Sequence, residues 1–579
     1  MVWHLKKHYK KMWAETLKLI QPKKFGSGDL NVCIVFPNTY NIASSNLGFQ
    51  SIYHQFNRHP GVVCHQGVLP EEKQVKEFER TKTSLFSIEE QIPLNEYDIL
   101  AFSVSFEMDY LNVLKILDLA HIPLDKNQRD ERSPIILAGG PCITFNPEPL
   151  SPFVDVCVIG EGEEVVHEIV DCFFYFEGDK TSLLVKLNQI PGVYVPSLYE
   201  VQYNTNGTIR CITPAFNNLP PKIKRRFVDI NTIDSDSKFV YERAEFKNMY
   251  LTEISRGCGR NCRFCMAGYC FKPPRVKDRA KVLESIRAAK KYNLKAGLIG
   301  AAVSDYPHID EIVAKMMEEQ IAFSVASLRA DSVTETLIKG LVFSGQRTFT
   351  IAPEAASGRL RTIINKGITD EDVYRSVKLA AKHGIHNVKM YFMIGLPGEK
   401  LEDIQAIIEL AKDLKGLLRN YTINPNLILS INPFIPKPFT PFQLYPMETA
   451  GELNSKMRML QKELKSIDGV KIIFESPKWS MVQGTLARGD RKVGEVLKRV
   501  YRRGRGFGVW KRAFKETGLS MDFYLYRTRD IDETFPWSHI DIGINQQCFV
   551  KEWEKSKSGK FTEPCSIQRC GKKCRVCCV

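Results

Sequence analysis

Sixteen cysteines occur in the 579 residues, and they cluster. Cys258, Cys262 and Cys265 fall within eight residues, in the run Ser255-Arg256-Gly257-Cys258-Gly259-Arg260-Asn261-Cys262-Arg263-Phe264-Cys265. Five more, Cys565, Cys570, Cys574, Cys577 and Cys578, crowd the far end. In a long chain, clustered cysteines bind metal or do catalysis more often than they form disulfides. Three thiolates in one glycine-bearing loop can wrap a corner of a 4Fe–4S cubane and leave one iron open to another ligand. Zinc is the competing reading: it asks for four ligands in tetrahedral closure, and Cys270 could be counted as the fourth. The group 570–577 repeats the CxxxCxxC spacing. With Cys565 it offers four thiolates, enough for a second cluster or a structural zinc. Cys33, Cys64, Cys142, Cys157, Cys172, Cys211 and Cys548 are scattered and read as small core side chains.

Apolar periodicity predicts what positions these residues. Short apolar runs at 32–36, 99–104, 135–137 and 154–159 are bounded by turn residues, as buried parallel strands are. Helical spacing at Leu111, Val113, Leu114, Leu117 and Leu119 follows the second run. Residues 26–200 are therefore expected to form a doubly wound α/β domain that binds a nucleotide or cofactor at its strand ends. Residues 201–245 read as a connector. Between 246 and 445 strands are predicted at 251–255, 297–303, 323–328, 348–352, 388–394 and 427–431, with helices such as 370–383 and 401–414 between them. Six β/α units make a partial (β/α)6 barrel of the TIM type, with chemistry at the strand C-termini. The cysteine loop follows the first of these strands. Residues 1–25 read as a basic helix, and 446–579 as a small α+β region with a Cys-rich tail. The fold class is α/β, a Rossmann-like domain followed by the barrel.

Hydrophobic residues at 44% and charged residues at 25% fit a soluble globular chain. No apolar run reaches the ~18 to 20 residues of a membrane span, and the start lacks a signal-peptide pattern. The expectation is a cytoplasmic protein with no membrane partner. The net charge of +15 is localised. Residues 1–24 carry seven lysines against Glu15, a net of +6, and residues 488–515 carry eleven basic side chains against Asp490 and Glu495, a net of +9. Such stripes suit a polyanion or a solvated helix face. In 488–515 the interleaved Tyr501, Phe507, Trp510 and Phe514 point to RNA. Gly504, Gly506 and Gly508 argue against a regular helix around Arg502, Arg503 and Arg505.

CxxxCxxC with Phe264 before its last cysteine resembles the radical S-adenosylmethionine superfamily. The resemblance implies a 4Fe–4S cluster on Cys258, Cys262 and Cys265. Its open iron would be chelated by S-adenosylmethionine, which one electron splits to a 5′-deoxyadenosyl radical. It also implies a low-potential electron donor such as flavodoxin or ferredoxin. Further matches lie at predicted strand ends. Ser304 and Asp305 stand where family members hold the methionine amino group. Ser327 and Arg329 lie in a segment similar to one in radical methylthiotransferases, and an arginine there suits a carboxylate. Glu354 and Ser357 close the fourth strand, where the family contacts ribose and methionine. Gly395 begins a GLPGE-type segment similar to one near adenine, and Asn432-Pro433-Phe434 closes the sixth strand.

The preceding domain resembles those of cobalamin-binding radical enzymes. Pro37, Tyr40, Leu47 and Gly48 match its first loop, and Ser103 and Ser105 end the next strand. Gly139, Gly140, Gly160, Gly162 and Glu163 match later loops, where glycine lets backbone approach a large flat ligand. The chain departs from the pattern in having no DxHxxG motif and no histidine between 37 and 53. A cobalamin would lack the usual histidine lower ligand, and a domain that keeps the fold without the cofactor is the alternative. The whole chain is similar to uncharacterised bacterial proteins that join these two domains to a Cys-rich tail. The implied reaction is cobalamin-dependent methyl transfer to an unactivated carbon. The alternatives are a methylthiotransferase-like enzyme without cobalamin, or a cluster- or cobalamin-bearing sensor that binds nucleic acid. Neither substrate class nor oligomeric state follows from the residues.

Overall fold

The computed structural model describes residues 2–504 and 506–565. Its chain divides into one unit of Met1–Asn248, Leu486–Ser520 and Asp532–Gly543 and a second of Met249–Thr485, Met521–Ile531 and Ile544–Val579.

In the first unit β1 (Leu30–Phe36), β2 (Val62–Val68), β3 (Ile99–Ser103), β4 (Ile135–Gly139), β5 (Val156–Val158) and β6 (Val193–Tyr194) form one sheet in the order 2-1-3-4-5-6. Neighbours run parallel except β5 and β6. Val32, Cys33, Ile34, Val35 and Phe36 are all buried, which is why this strand reads as a continuous apolar run and not an alternating one. Strand order reverses between β1 and β3, so the loops after them diverge and open a crevice at their carboxyl ends.

The basic start and the connector belong to this unit. Helix α1 (Val2–Ala14) buries Leu5, Tyr9 and Met12, one stripe at i, i+4 and i+7. The Tyr9 ring packs edge-on to Phe78 at the end of α2 (Glu72–Thr81) and to Phe86. Strand Thr16–Lys18 pairs antiparallel with Phe239–Tyr241 of the expected connector. The stretch expected to be irregular is two helices, Val493–Arg503 and Phe507–Thr517. Arg502 and Arg503 close the last turn of the first, and Gly504, at φ +111°, ends it. The glycines punctuate helices there and do not prevent them.

Arg491 ties three distant segments of the unit together. Its Nε donates to Glu148 Oε2 at 2.8 Å and its Nη1 to the Tyr199 carbonyl at 3.0 Å. Tyr194 donates its hydroxyl to Glu148 Oε1 at 2.7 Å, and His539 Nε2 lies 3.8 Å from that oxygen. Burial works to raise Glu148, yet Arg491 and His539 hold it below the usual carboxylate range. Burial dominates at His539, lowering it to about 4.

The second unit places β7 (Met249–Glu253), β8 (Lys295–Ile299) and β9 (Phe323–Ser324) in one parallel sheet. A second parallel sheet contains β10 (Thr348–Glu354), β11 (Asn387–Ile394), β12 (Asn426–Pro433) and β13 (Val470–Phe474). A single bridge between Leu328 and Ile351 links the two sheets. The barrel-type series therefore has seven strands, not six. The unpredicted β13 alternates half-buried Val470, Ile472 and Phe474 with exposed Lys471 and Ile473, so no continuous apolar run marks it. In β11, Val388, Met390, Phe392 and Ile394 are buried while Lys389, Tyr391 and Met393 are half-buried, giving two distinct faces. Helices Asp370–Lys382 and Leu401–Arg419 fall where periodicity put them, and a Thr369–Asp372 capping box starts the first. Among the described residues no helix is long and apolar enough to cross a membrane.

The depressed His539 makes a signed prediction. An unfolded histidine near 6.5 takes up its proton before the folded one, so stability falls as pH drops from about 6.5 to about 4. The full loss is about 3 kcal/mol. His539→Gln should flatten this limb of a thermal-midpoint profile against pH; an unchanged slope would remove His539 as its cause.

Candidate functional site

The loop that carries Cys258, Cys262 and Cys265 leaves β7 through Ser255–Arg256, which pairs antiparallel with Arg275–Val276 and closes the loop at its base. Gly257 sits there at φ +76°, and a Cβ on it would come within 2.2 Å of the Phe271 carbonyl oxygen. Only glycine fits. Arg263, between the second and third cysteines, is fully buried. Its guanidinium donates to the carbonyls of Thr362 at 3.0 Å, Ile363 at 2.8 Å and Lys560 at 2.6 Å, and to Glu552 at 3.1 Å. Asn365 donates to the Asn261 carbonyl at 3.1 Å and exchanges two hydrogen bonds with Thr562. The loop is thus clamped between the segment after β10 and the strap of residues 560–565.

The three sulfurs share one electrostatic environment. Burial raises Cys258, and the neighbouring Cys262 raises it further. Burial, then Cys262 and Cys258, pushes Cys265 up to about 12. Backbone N–H groups of Arg260 and Gly268 donate to Cys258 and Cys265, and the charges of Arg329 and Lys366 act in the same direction. Three cysteines close enough for their ionised forms to repel one another, with backbone donors and cations beside them, suit ligation to a shared cationic group. This donor set fits a cluster.

Strand ends converge on the same loop. Phe264 packs against a core formed by Ala355 after β10, Leu396 after β11 and Phe434 after β12, with Leu360, Ile363 and Phe442. Lys366 Nζ lies 5.9 Å over the Phe264 ring and 3.2 Å from Glu354, itself at φ +68°. Arg260 holds Asp305 through two 2.7 Å hydrogen bonds and reaches Asp331 at 2.8 Å. Arg329 also takes Asp331, at 3.0 Å, and the Lys366 carbonyl at 2.8 Å. Burial lowers Arg329, but Cys262 and Asp331 outweigh it and hold the guanidinium above its ordinary value. Ser304 accepts from the Arg329 N–H at 3.3 Å and faces Ser332 at 2.8 Å. Ser327 is exposed. A cavity of about 320 Å³ opens beside this network, lined by Cys258, Arg260, Asp305, Tyr306, Pro564 and Cys565.

The Radical SAM superfamily model matches residues 252–411, the stretch that builds this loop and β7 to β11. This chain belongs to the radical S-adenosylmethionine superfamily. A model described as radical SAM proteins, N-terminal, matches residues 48–196. An uncharacterized protein of Methanocaldococcus jannaschii is 29% identical over 473 residues, 81% of this chain and 90% of its own length. An uncharacterized methyltransferase of Pyrococcus horikoshii is 28% identical over 321 residues, 51% of this chain and 65% of that one. The radical S-adenosylmethionine methyltransferase TsrM from Kitasatospora setae is similar at TM-score 0.46 and 13% identity, over 73% of this chain and 75% of that one. The Methanocaldococcus and Pyrococcus relatives are archaeal, where bacterial ones were expected.

Two matched residues in the barrel of this radical SAM enzyme have local structural duties. Ser357 caps helix Gly358–Ile363, accepting from the Leu360 N–H at 3.2 Å, and donates to Asp403. Gly395, at φ +81°, gives its N–H to Glu399 at 2.9 Å. In the first unit Pro37 follows β1, Leu47 and Gly48 begin the helix Leu47–Arg58, Ser103 ends β3 with Ser105 just beyond it, and Gly139 ends β4. There Asn46 Nδ2 lies 3.4 Å from Ser105 Oγ, and Ile42 and Phe106 are 43% and 45% exposed. Tyr40 is buried under Phe239 and Tyr241. A Cβ on Gly140 would meet the Val104 carbonyl at 2.7 Å, on Gly160 the Arg226 carbonyl at 2.4 Å, and on Gly162 the Ile52 side chain at 2.8 Å. Chain packing already demands glycine at 140 and 160, both at positive φ, whereas at Gly162 only the end of the Ile52 side chain stands in the way; the neighbouring Glu163 is buried.

Cys565 donates its N–H to the Gly259 carbonyl at 2.7 Å, and its sulfur is 3.6 Å from Lys272 Nζ. It reaches the first cysteine loop, whereas Cys570, Cys574 and Cys577 lie outside the described residues. Sequence reasoning missed Arg260, Arg263, Asp331, Asn365 and Lys366. The first two lie inside the cysteine motif, where their spacing could have raised the question; the others carry no signal.

Asn365→Ala should release the strap of residues 560–565 without unfolding the unit. Cys565 should then react faster with iodoacetamide, read by peptide mass spectrometry, while Cys157, buried in the first unit, stays inert. Unchanged Cys565 labelling would show that Asn365 does not hold the strap.

Proposed function

We propose that this enzyme uses a 4Fe–4S cluster on Cys258, Cys262 and Cys265 with S-adenosylmethionine, and transfers a methyl group to an unactivated carbon with cobalamin. When bound, the reduced cluster supplies the electron that opens a carbon–sulfur bond of S-adenosylmethionine, and cobalamin supplies the methyl group. The observation that carries the reading is the convergence of Phe264 in the cysteine loop with the ends of β10, β11 and β12. Placing a reactive group at the carboxyl ends of parallel strands is the barrel's usual arrangement.

The chain's own residues do the positioning. Gly257 and Arg263 fix the loop. Arg329 and Lys366 hold positive charge beside the thiolates, and Arg329 suits the methionine carboxylate while Ser304 and Asp305 suit its amino group. Phe264 and its apolar neighbours keep water from the loop. For cobalamin, the crevice between β1 and β3 offers Ser103, Ser105, Asn46 and the exposed Ile42 and Phe106, a polar rim with an apolar face. It has no histidine between 37 and 53 to serve as lower ligand. The name of the Pyrococcus horikoshii relative supports methyl transfer. A flavodoxin- or ferredoxin-type protein supplies the electron, and the tail thiols with Cys565 are donors for a second cluster or zinc.

Spectroscopy of anaerobically reconstituted protein tests this reading. The reduced wild type should show a cluster electron paramagnetic resonance signal that changes on adding S-adenosylmethionine. Replacing Cys258, Cys262 and Cys265 with alanine should abolish that response; iron or zinc left in the variant reports the tail. The absorbance of added cobalamin should co-elute with the chain. A response surviving in the triple variant would contradict the assignment of the cluster, and failure to retain cobalamin would contradict methyl delivery by it.

A further inference from the structure

Most basic side chains of 488–515 are engaged inside the first unit. Arg488 is buried, Arg491 holds Glu148, Lys498 holds Asp125, and Arg499 and Arg503 hold Glu516. Lys492 lies 3.3 Å over the Tyr203 ring. The second basic stretch differs. Helix α1 contains Lys6, Lys7, Lys10 and Lys11 and no Asp or Glu. All four lysines are exposed. Among the described residues Lys6 and Lys10 have neither ion pair nor hydrogen bond. Lys11 is 3.7 Å from Glu15, a carboxylate that Arg243 also takes at 2.8 Å. Glu77 on α2, which packs against α1, is held by Arg80 at 2.7 Å. Trp3 is 62% exposed on the same outward side, with Lys7 Nζ 4.8 Å over its ring.

We propose that the outward face of α1 is a docking surface for single-stranded RNA. Three properties choose this partner. Lys6 and Lys10 stand one helical turn apart, about 6 Å along the axis, so successive cations follow a line as backbone phosphates do. An exposed indole among lysines offers a stacking face that any base can use. A lipid surface is the poorer match, because an interfacial helix needs a free apolar face and that of α1, Leu5, Tyr9 and Met12, is buried in the unit. The proposal does not depend on which group the enzyme transfers.

Fluorescence anisotropy with the full chain and a fluorescein-labelled 20-nucleotide oligouridylate tests it. Log affinity should fall linearly with log salt concentration. Reversing Lys6→Glu and Lys10→Glu together should weaken binding at low salt at least about tenfold and reduce the slope by about 1.4, two phosphate contacts on a single strand. Trp3→Ala should cost about fivefold or more while Trp3→Phe retains most of the affinity. These positions are exposed, so thermal midpoints should stay at the wild-type value and separate lost binding from lost folding. Unchanged affinity and slope in the double variant would overturn the proposal. So would displacement by polyglutamate as effective as that by unlabelled RNA, or binding to phosphatidylserine vesicles that the double variant abolishes while RNA binding persists.

Discussion

The second unit depends on the buried guanidinium of Arg263. A charge removed from water is tolerated only where acceptors surround it, and losing one partner of such a charge costs about 3 to 5 kcal/mol. Arg263 collects two carbonyls from the segment after β10, one from the strap before Cys565, and the Glu552 carboxylate. Because it sits between Cys262 and Phe264, satisfying this charge also fixes two thiols and the aromatic ring that meets three strand ends. The cysteine loop is consequently a junction of three chain segments.

The same economy explains the polar network beside the loop. Asp305 and Asp331 would be costly beside cysteines that must ionise to bind metal, and Arg260 and Arg329 neutralise them by paired hydrogen bonds. The charge of Arg329 also acts on Cys258 against the burial that favours its neutral thiol, so one set of charges serves both the fold and the cysteine loop. The first unit repeats the device around Arg491 and Glu148, where it secures packing between distant segments.

What could be read from residue types was the chemistry and the order of strands. CxxxCxxC announces its donors locally, and β1, β3 and β11 carry apolar patterns strong enough to place them within a few residues. Less legible were interactions made across long separations. Nothing near Asn365 in the chain indicates that it will meet Thr562, and nothing near Arg226 indicates that its backbone will require glycine at 160. Charge counting over 488–515 overstated its free positive charge, because Glu148, Asp125 and Glu516, which pair with four of its basic side chains, all lie outside the window. The Gly504, Gly506 and Gly508 series was read as a helix breaker, yet the structure uses it as a boundary between two helices.

The central claim is that Cys258, Cys262 and Cys265 form one radical-generating site. The most direct measurement is the formation of 5′-deoxyadenosine from S-adenosylmethionine by anaerobically reconstituted, chemically reduced full-length protein, followed by liquid chromatography and mass spectrometry. The account predicts accumulation with time in the wild type and none above the no-enzyme control when the three cysteines are replaced by alanine. Equal product from wild type and variant would contradict it.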